Sequence, residues 1–252
     1  MTEIIAVANQ KGGVGKTTTA INLSAALAIA EKRVLLIDLD PQANSTTGVG
    51  LDKNRLSATV YDALCGQKTI TEAAVGTDLR FLRIVPSSRE LARFELEMVS
   101  DDQNHLFLQS ALAGINSDYD YIIIDSPPSL GLLTINALTA ARGVIIPIQA
   151  EYYALEGLSD LIATINRIKE HFNSELDIRG VLLTMYDERT NLSRQVEEEV
   201  RSHFKTKVYT SVIPRNIRLS EAPSFGKPIQ LYDIRSVGAR SYMMLAKEIM
   251  NK

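Results

Sequence analysis

Continuous apolar runs recur along the chain, separated by stretches with helical spacing. Ile4–Ala8, Arg33–Asp40, Tyr121–Asp125, Gly143–Ile148, Gly180–Met185 and Val208–Ile213 read as strands. Most lack alternation, which means burial on both faces, as in a parallel sheet. Residues 79–85 alternate instead and predict a strand with one more exposed face. Helical faces show at Ala20, Leu23, Leu27 and Ala30, over Val60–Leu64, and at Leu91, Phe94 and Met98. Ser87 or Ser88 is positioned to cap the last of these. A further helix is expected from near Asp102, carrying His105, and a long one over 154–172 with Leu155, Leu158, Leu161, Ile162, Ile165 and Ile168. Asn191–Phe204 reads as a charged amphipathic helix, and 236–251 as a closing helix with Met243, Met244 and Met250 in the core. Residues 42–56, rich in Gln, Asn, Ser, Thr and Gly, predict a movable loop. Strands and helices alternate without a linker or repeat. The prediction is α/β: a single doubly wound, mostly parallel sheet with helices on both faces, one domain over 1–252.

The polar residues that interrupt this pattern gather at strand ends. The first strand runs into Asn9-Gln10-Lys11-Gly12-Gly13-Val14-Gly15-Lys16-Thr17-Thr18 and then a helix, the context of a phosphate-binding loop. The glycines let backbone N–H groups turn inward, the helix N-terminus adds partial positive charge, Lys16 reaches β- and γ-phosphates, and the Thr17 hydroxyl can ligate Mg²⁺. The general pattern G-x-x-x-x-G-K-[ST] wants its first Gly at residue 10, which is Gln; the loop carries an extra Lys11 instead. The second strand ends in Asp38-Leu39-Asp40-Pro41-Gln42, with both acids on the loop side of an open sheet. Tyr121–Asp125 ends in Asp125-Ser126-Pro127-Pro128, an acid placed to hold Mg²⁺, with Gly131 beyond it permitting close approach to a γ-phosphate.

Composition and charge narrow the classes. The chain has 252 residues, 45% hydrophobic and 23% charged, with a formal net charge of −3, so any nucleic-acid site must be local. One such place exists: between Val200 and Ser220 lie Arg201, Lys205, Lys207, Arg215 and Arg218 and no Asp or Glu, with Arg189, Arg194, Lys227, Arg235 and Arg240 nearby in sequence. Candidate DNA contacts are Arg189, Arg215, Arg218 and Lys227, acting on phosphates without sequence preference. Cys65 alone excludes a disulfide framework and fits a reducing compartment; it is expected to be a small buried apolar residue. His105, His171 and His203 lack a second ligand at metal spacing. The start has no basic segment or cleavage site, and no apolar run approaches the ~20 residues that span a bilayer.

Lys11-Gly12-Gly13-Val14-Gly15-Lys16-Thr17 resembles the deviant Walker A loop of the ParA/MinD ATPases. Together with Asp38–Gln42, Asp125–Pro128 and Pro214-Arg215-Asn216-Ile217-Arg218-Leu219-Ser220-Glu221-Ala222-Pro223, it covers nearly the whole chain and is similar to the Soj-type branch. The resemblance implies an ATPase using ATP and Mg²⁺. ATP would be held by Lys11, Gly12, Gly13, Val14, Gly15, Lys16, Thr17 and Thr18, with Pro214 and Asn216 against the base, and Mg²⁺ by Thr17, Asp40 and Asp125. Lys11 would cross to the partner's nucleotide in an ATP-bound homodimer, and Asp40 would orient the attacking water with Lys11 and Lys16 in the catalytic set. An ordinary Asp, with pKa about 3.9, positions water better than it deprotonates it. The resemblance further implies nonspecific binding to double-stranded DNA, a ParB-like partner that stimulates slow hydrolysis, chromosome or plasmid partitioning, and a cytoplasmic, nucleoid-associated protein without stable membrane insertion.

Three other readings compete. A MinD-like membrane ATPase needs a basic, bulky apolar C-terminal tail, and the sequence ends Ile249-Met250-Asn251-Lys252. A nitrogenase-reductase-like iron–sulfur protein needs two cysteines per subunit where only Cys65 exists. A metabolic phosphotransferase needs a substrate motif beside the γ-phosphate, and the sequence carries no candidate for one.

Overall fold

The computed structural model describes residues 2–98, 103–115, 117–152, 154 and 157–251. In chain order the elements are β1 (Glu3–Val7), α1 (Lys16–Ile29), β2 (Val34–Asp38), α2 (Asn44–Gly48), α3 (Val60–Leu64), α4 (Ile70–Ala73), β3 (Val75–Gly76), β4 (Leu82–Val85), α5 (Leu91–Glu97) and α6 (Phe107–Leu112). There follow β5 (Tyr121–Asp125), α7 (Leu132–Ala140), β6 (Gly143–Gln149), α8 (Leu158–His171), β7 (Asp177–Thr184), α9 (Asn191–Phe204), α10 (Ile217–Glu221), α11 (Ile229–Tyr232) and α12 (Val237–Met250).

Successive side chains of a strand point to opposite faces, so each apolar run feeds two cores. Ile4 and Ala6, Leu35 and Ile37, Ile122 and Ile124, and Val144 and Ile146 pack on one face, with residues of α5–α9. Ile5 and Val7, Val34 and Leu36, Ile123 and Ile145 pack on the other, against α1 and α12. The seven strands run in the order β3-β4-β2-β5-β1-β6-β7, all parallel except β3. The doubly wound architecture expected from the runs is present. β5 inserts between β1 and β2, and the register pairs Asp125 with both Val7 and Asp38. The two strand-end acids therefore stand side by side, next to the loop that follows β1.

Local departures from the expected elements have physical causes. Residues 208–213 form no regular strand: Tyr209 N–H and Ile213 N–H bond to Val181 and Leu183 carbonyls on the β7 edge, but the Thr210 and Ser211 amides turn to the Glu248 carboxylate on α12. The 42–56 stretch contains α2 rather than only loop. Ser87 caps nothing; its N–H donates to the Thr46 hydroxyl, and α5 starts later, at Leu91. His105 precedes α6 and stacks on Phe172 at 4.1 Å, while Asp102, the expected start, lies outside the described residues. Leu155 of the expected 154–172 helix also lies outside them, and α8 begins after Gly157. In α12 the core positions are Ala239, Tyr242, Leu245, Ala246 and Ile249, whereas Met244 is exposed and Met243 and Met250 are half-buried. Cys65 is half-buried at the end of α3. No helix among the described residues is long and apolar enough to cross a membrane.

Candidate functional site

The loop between β1 and α1 takes the shape its glycines allow. Gly13 (φ 75°) and Gly15 (φ 88°) occupy left-handed backbone, and a Cβ added at Gly12 or Gly13 would meet nothing within 4 Å. The loop thus curves around open space. Its flanks are tied to the sheet: Val14 C=O accepts from the Thr184 hydroxyl (2.8 Å), Asn9 Nδ2 donates to Pro147 C=O (2.7 Å), and Asn9 Oδ1 accepts from Lys11 N–H (3.0 Å). Lys16, 7% exposed, folds back so that Nζ donates to the Lys11 carbonyl at 3.0 Å. Burial lowers its pKa, opposed by the attraction of Asp125 and Asp40. Its partner is a neutral carbonyl, and a phosphate oxygen would be a stronger one.

Two carboxylates at the ends of β2 and β5, Asp40 and Asp125, attract this lysine, and a third, Asp38, stands beside Asp125. Asp38 is fully buried; Oδ2 accepts from Thr46 N–H (2.8 Å) and the Thr46 hydroxyl (2.7 Å), and Oδ1 from Asp40 N–H (3.2 Å). Asp40, also buried, accepts from Gln42 N–H at 2.9 Å, which fixes the turn out of β2. Asp125 is fully buried, and its Oδ2 accepts from the Ser45 hydroxyl at 2.8 Å. Its Oδ1 is buried without a hydrogen-bond partner. Burial, then repulsion from Asp38, pushes the Asp125 carboxyl up to about 8; burial pushes Asp38 up to about 6 against its Thr46 and Asp40 donors. Thr17 lies beside Asp125 at the first turn of α1.

These residues fit a divalent cation shared with phosphates. The bare Oδ1 of Asp125 is the orphan acceptor that such an ion would satisfy. Among the described residues no three His, Cys, Asp or Glu side chains close on a metal by themselves. Mg²⁺ is commonly held in that way, by one or two carboxylates and the phosphates of its ligand.

The remaining expected site residues fall in three places. Pro214 and Asn216 line a cavity of about 290 Å³ together with Gly15, Thr18, Thr184 and Tyr242, so the loop and the 214–216 segment meet across it. Asn216 also caps α10, accepting from Leu219 N–H at 3.2 Å. Lys11 is half-buried beside the loop. Arg189 and Arg215 flank a second depression of about 630 Å³, with Ile217 and Val237. Arg218 stands on α10 and Lys227 is exposed beyond it. The basic run is not free of acids in space: Arg189 pairs with Asp187 (2.7 Å), Arg215 with Glu151 (3.1 Å), Arg218 with Glu221 (2.9 Å) and Lys207 with Asp177 (2.6 Å).

The turn after β5 is pinned by the Ser126 hydroxyl, which donates to Val7 C=O at 2.8 Å. Glu95 of α5, not open space, approaches Gly131, and its carboxylate accepts from Leu133 N–H at 3.3 Å. Ser45 and Thr46 had no place in the sequence reading. The signal for them was present: two buried acids at strand ends need donors, and the nearest hydroxyl-rich run is Asn44-Ser45-Thr46-Thr47.

Comparison with known proteins places this geometry among relatives. A family model described as an AAA domain matches residues 2–178. The chain is 55% identical over 249 residues to the sporulation initiation inhibitor protein Soj of Bacillus subtilis, covering 99% of this chain and 98% of that one. It is 53% identical over 249 residues to the chromosome partitioning protein ParA of Myxococcus xanthus, covering 99% and 88%. Among solved structures, cobyrinic acid a,c-diamide synthase from Mycobacterium smegmatis with a bound ATP analogue and magnesium superposes with a TM-score of 0.88 at 37% identity, covering 100% of this chain and 95% of that one.

Proposed function

The chain belongs to the ParA/Soj family of chromosome-partitioning ATPases, and on that premise we propose that it is an ATP-operated switch that dimerises, binds DNA without sequence preference and resets by hydrolysis. The observation that carries this reading is the meeting of Lys16, Asp40 and Asp125 beside a glycine loop that keeps an additional lysine, Lys11. The whole span 1–252 acts as one ATPase domain.

Each residue has a task in this scheme. The amides of Gly12, Gly13, Val14, Gly15, Lys16, Thr17 and Thr18 cradle the phosphates, and Pro214 and Asn216 line the base cavity. Lys16 exchanges the Lys11 carbonyl for phosphate oxygens, a charge-assisted bond roughly twice as strong as a neutral one. That exchange also releases the Lys11 segment, which becomes free to reach the partner's nucleotide across a homodimer. Thr17, Asp40 and Asp125 are the residues that would hold Mg²⁺, which neutralises charge developing on the phosphates. Asp40, fixed by its turn, orients the attacking water. Intrinsic turnover is slow and is raised by a ParB-like partner and DNA. The phosphate-facing surface for DNA is Arg189, Arg215, Arg218 and Lys227, and pairing two such surfaces in the dimer adds avidity. Such a switch works in the cytoplasm, on the nucleoid.

The test is DNA binding by the purified protein with ADP and with ATP at two salt concentrations, beside Asp40→Ala. Binding that needs ATP, weakens with salt and lasts longer in Asp40→Ala is expected. Failure to bind DNA in either nucleotide would remove the DNA arm of the reading, and vesicle co-sedimentation would then test a membrane role.

A further inference from the structure

The acid pair at the ends of β2 and β5 is held by two adjacent hydroxyls on one short helix. Ser45 donates to Asp125 Oδ2 at 2.8 Å, and Thr46 donates to Asp38 Oδ2 through both its hydroxyl (2.7 Å) and its amide (2.8 Å). Ser45 and Thr46 are both fully buried. The Thr46 oxygen also accepts from Ser87 N–H at 2.9 Å, so one side chain ties together the ends of β2 and β4.

Helix α2 is wedged in place. A Cβ on Gly48 would lie 2.5 Å from Ile21 Cδ1 on α1, and a Cβ on Gly50 would lie 2.9 Å from the Gly226 carbonyl. The residue before the helix, Ala43, sits in left-handed backbone at φ 56°. Its hydroxyls are therefore presented to the acids from a fixed support, as residues that orient metal ligands usually are.

The two hydroxyls act on different things. Ser45 fixes one oxygen of Asp125 and leaves the other, Oδ1, buried and bare. Thr46 holds Asp38, whose other oxygen accepts from Asp40 N–H at 3.2 Å and so orders the turn carrying Asp40. We propose that Ser45 and Thr46 are positioning residues with separate duties: Ser45 aims Asp125 at the divalent cation, and Thr46, through Asp38, holds the Asp40 turn for hydrolysis. This rests on the ATP- and Mg²⁺-dependent reading given above.

The test uses the full chain and a fluorescent ATP analogue, titrated with Mg²⁺ and also measured in chelator. Ser45→Ala should raise the Mg²⁺ concentration at half-saturation about tenfold or more, the usual cost of losing a group that orients a metal ligand. Affinity in chelator should stay within about twofold, because the Ser45 hydroxyl donates to Asp125 and not to the phosphate loop's amides. The pair Ser45→Thr and Ser45→Val separates the hydroxyl from bulk: Thr should restore the parent's Mg²⁺ requirement and Val should not. Thr46→Val should lower kcat about tenfold and leave the Mg²⁺ half-saturation point in place, and Thr46→Ser should recover much of the rate. A Ser45→Ala protein that binds the nucleotide at the parent's Mg²⁺ concentration overturns the assignment. So does Ser45→Val behaving as Ser45→Thr. A parent that binds no nucleotide, or binds it without regard to Mg²⁺, defeats the underlying reading instead.

Discussion

At the carboxyl ends of β1, β2 and β5 the charged groups are buried and poorly paired, whereas around residues 187–227 they are exposed and Arg189, Arg201, Arg215 and Arg218 have each found an acid. Lys16 rests on a neutral carbonyl, and Asp125 leaves one oxygen bare in the interior. Arg189, Arg215 and Arg218, with side chains 83%, 62% and 55% exposed, bond to Asp187, Glu151 and Glu221. Burial without partners is expensive, so the first region is a place that a ligand completes. Exposed pairs are cheap to make and to break, so the second is a surface whose charges can be traded for phosphates at little cost.

The largest effect should come from the buried cation. Lys16→Ala is expected to lower ATP turnover at least about a hundredfold, the usual loss when one donor to developing charge is removed. A decline of only a few-fold, measured by phosphate release, would mean that Lys16 stays on the Lys11 carbonyl and that the buried region is not where phosphates bind.

The buried acids make a pH prediction for the protein in chelator without nucleotide. Asp125, raised to about 8, keeps a proton in the folded state that it loses in the unfolded state at any pH above the ordinary carboxylate value. The native state therefore binds more protons across that window, and stability falls as pH rises toward 8; Asp38, raised to about 6, adds to the fall at lower pH. Thermal unfolding should show a lower Tm at pH 8 than at pH 6, with a flatter slope in Asp125→Asn and in the presence of Mg²⁺ and ATP. An unchanged slope in Asp125→Asn would indicate a carboxylate that is solvated or paired, which would erase the contrast between the regions.

Much of this was legible in the chain, and the limits follow from physics. Buried parallel strands announce themselves because both faces are apolar, and so β1, β2, β5 and β6 appear within a residue or two of their places. The phosphate loop is legible because it needs consecutive residues. Asp38, Asp40 and Asp125 are legible because strand ends are. β3, with two residues, has no pattern to read, and α7 is buried nearly all round, so it shows no polar face. The 208–213 strand failed because a distant carboxylate, Glu248, took its middle amides. The basic run misled in the same way. Its acids, Glu151, Asp177, Asp187 and Glu221, lie outside the counted window and return to it only in three dimensions.

On the exposed side, charge reversal sharpens the comparison. Arg218→Glu is expected to weaken ATP-dependent DNA binding roughly tenfold at low salt and to reduce the dependence of log affinity on log salt by about one phosphate contact. The loss should be uniform across DNA sequences. A loss confined to particular sequences would point to base readout and away from a phosphate-facing surface.

The smallest effect tests the ion pairs themselves. Asp187 holds the Arg189 guanidinium through two bonds of 2.8 and 2.7 Å, and the arginine beside it keeps its carboxyl down to about 2, so it is charged at any working pH. If the surface binds DNA as proposed, such a pair would compete with a phosphate for the same guanidinium. Asp187→Asn removes the competitor and leaves the arginine in place. The expected outcome is a two- to threefold gain in DNA affinity at low salt, fading as salt screens both interactions, with an unchanged Tm. A measurable fall in Tm would show that the pair braces the turn between β7 and α9, where Asp187 C=O also accepts from the Thr190 amide and hydroxyl. A drop in DNA affinity would assign Asp187 to orienting Arg189 rather than competing for it, and the surface would then resemble the buried region, built in advance for its ligand.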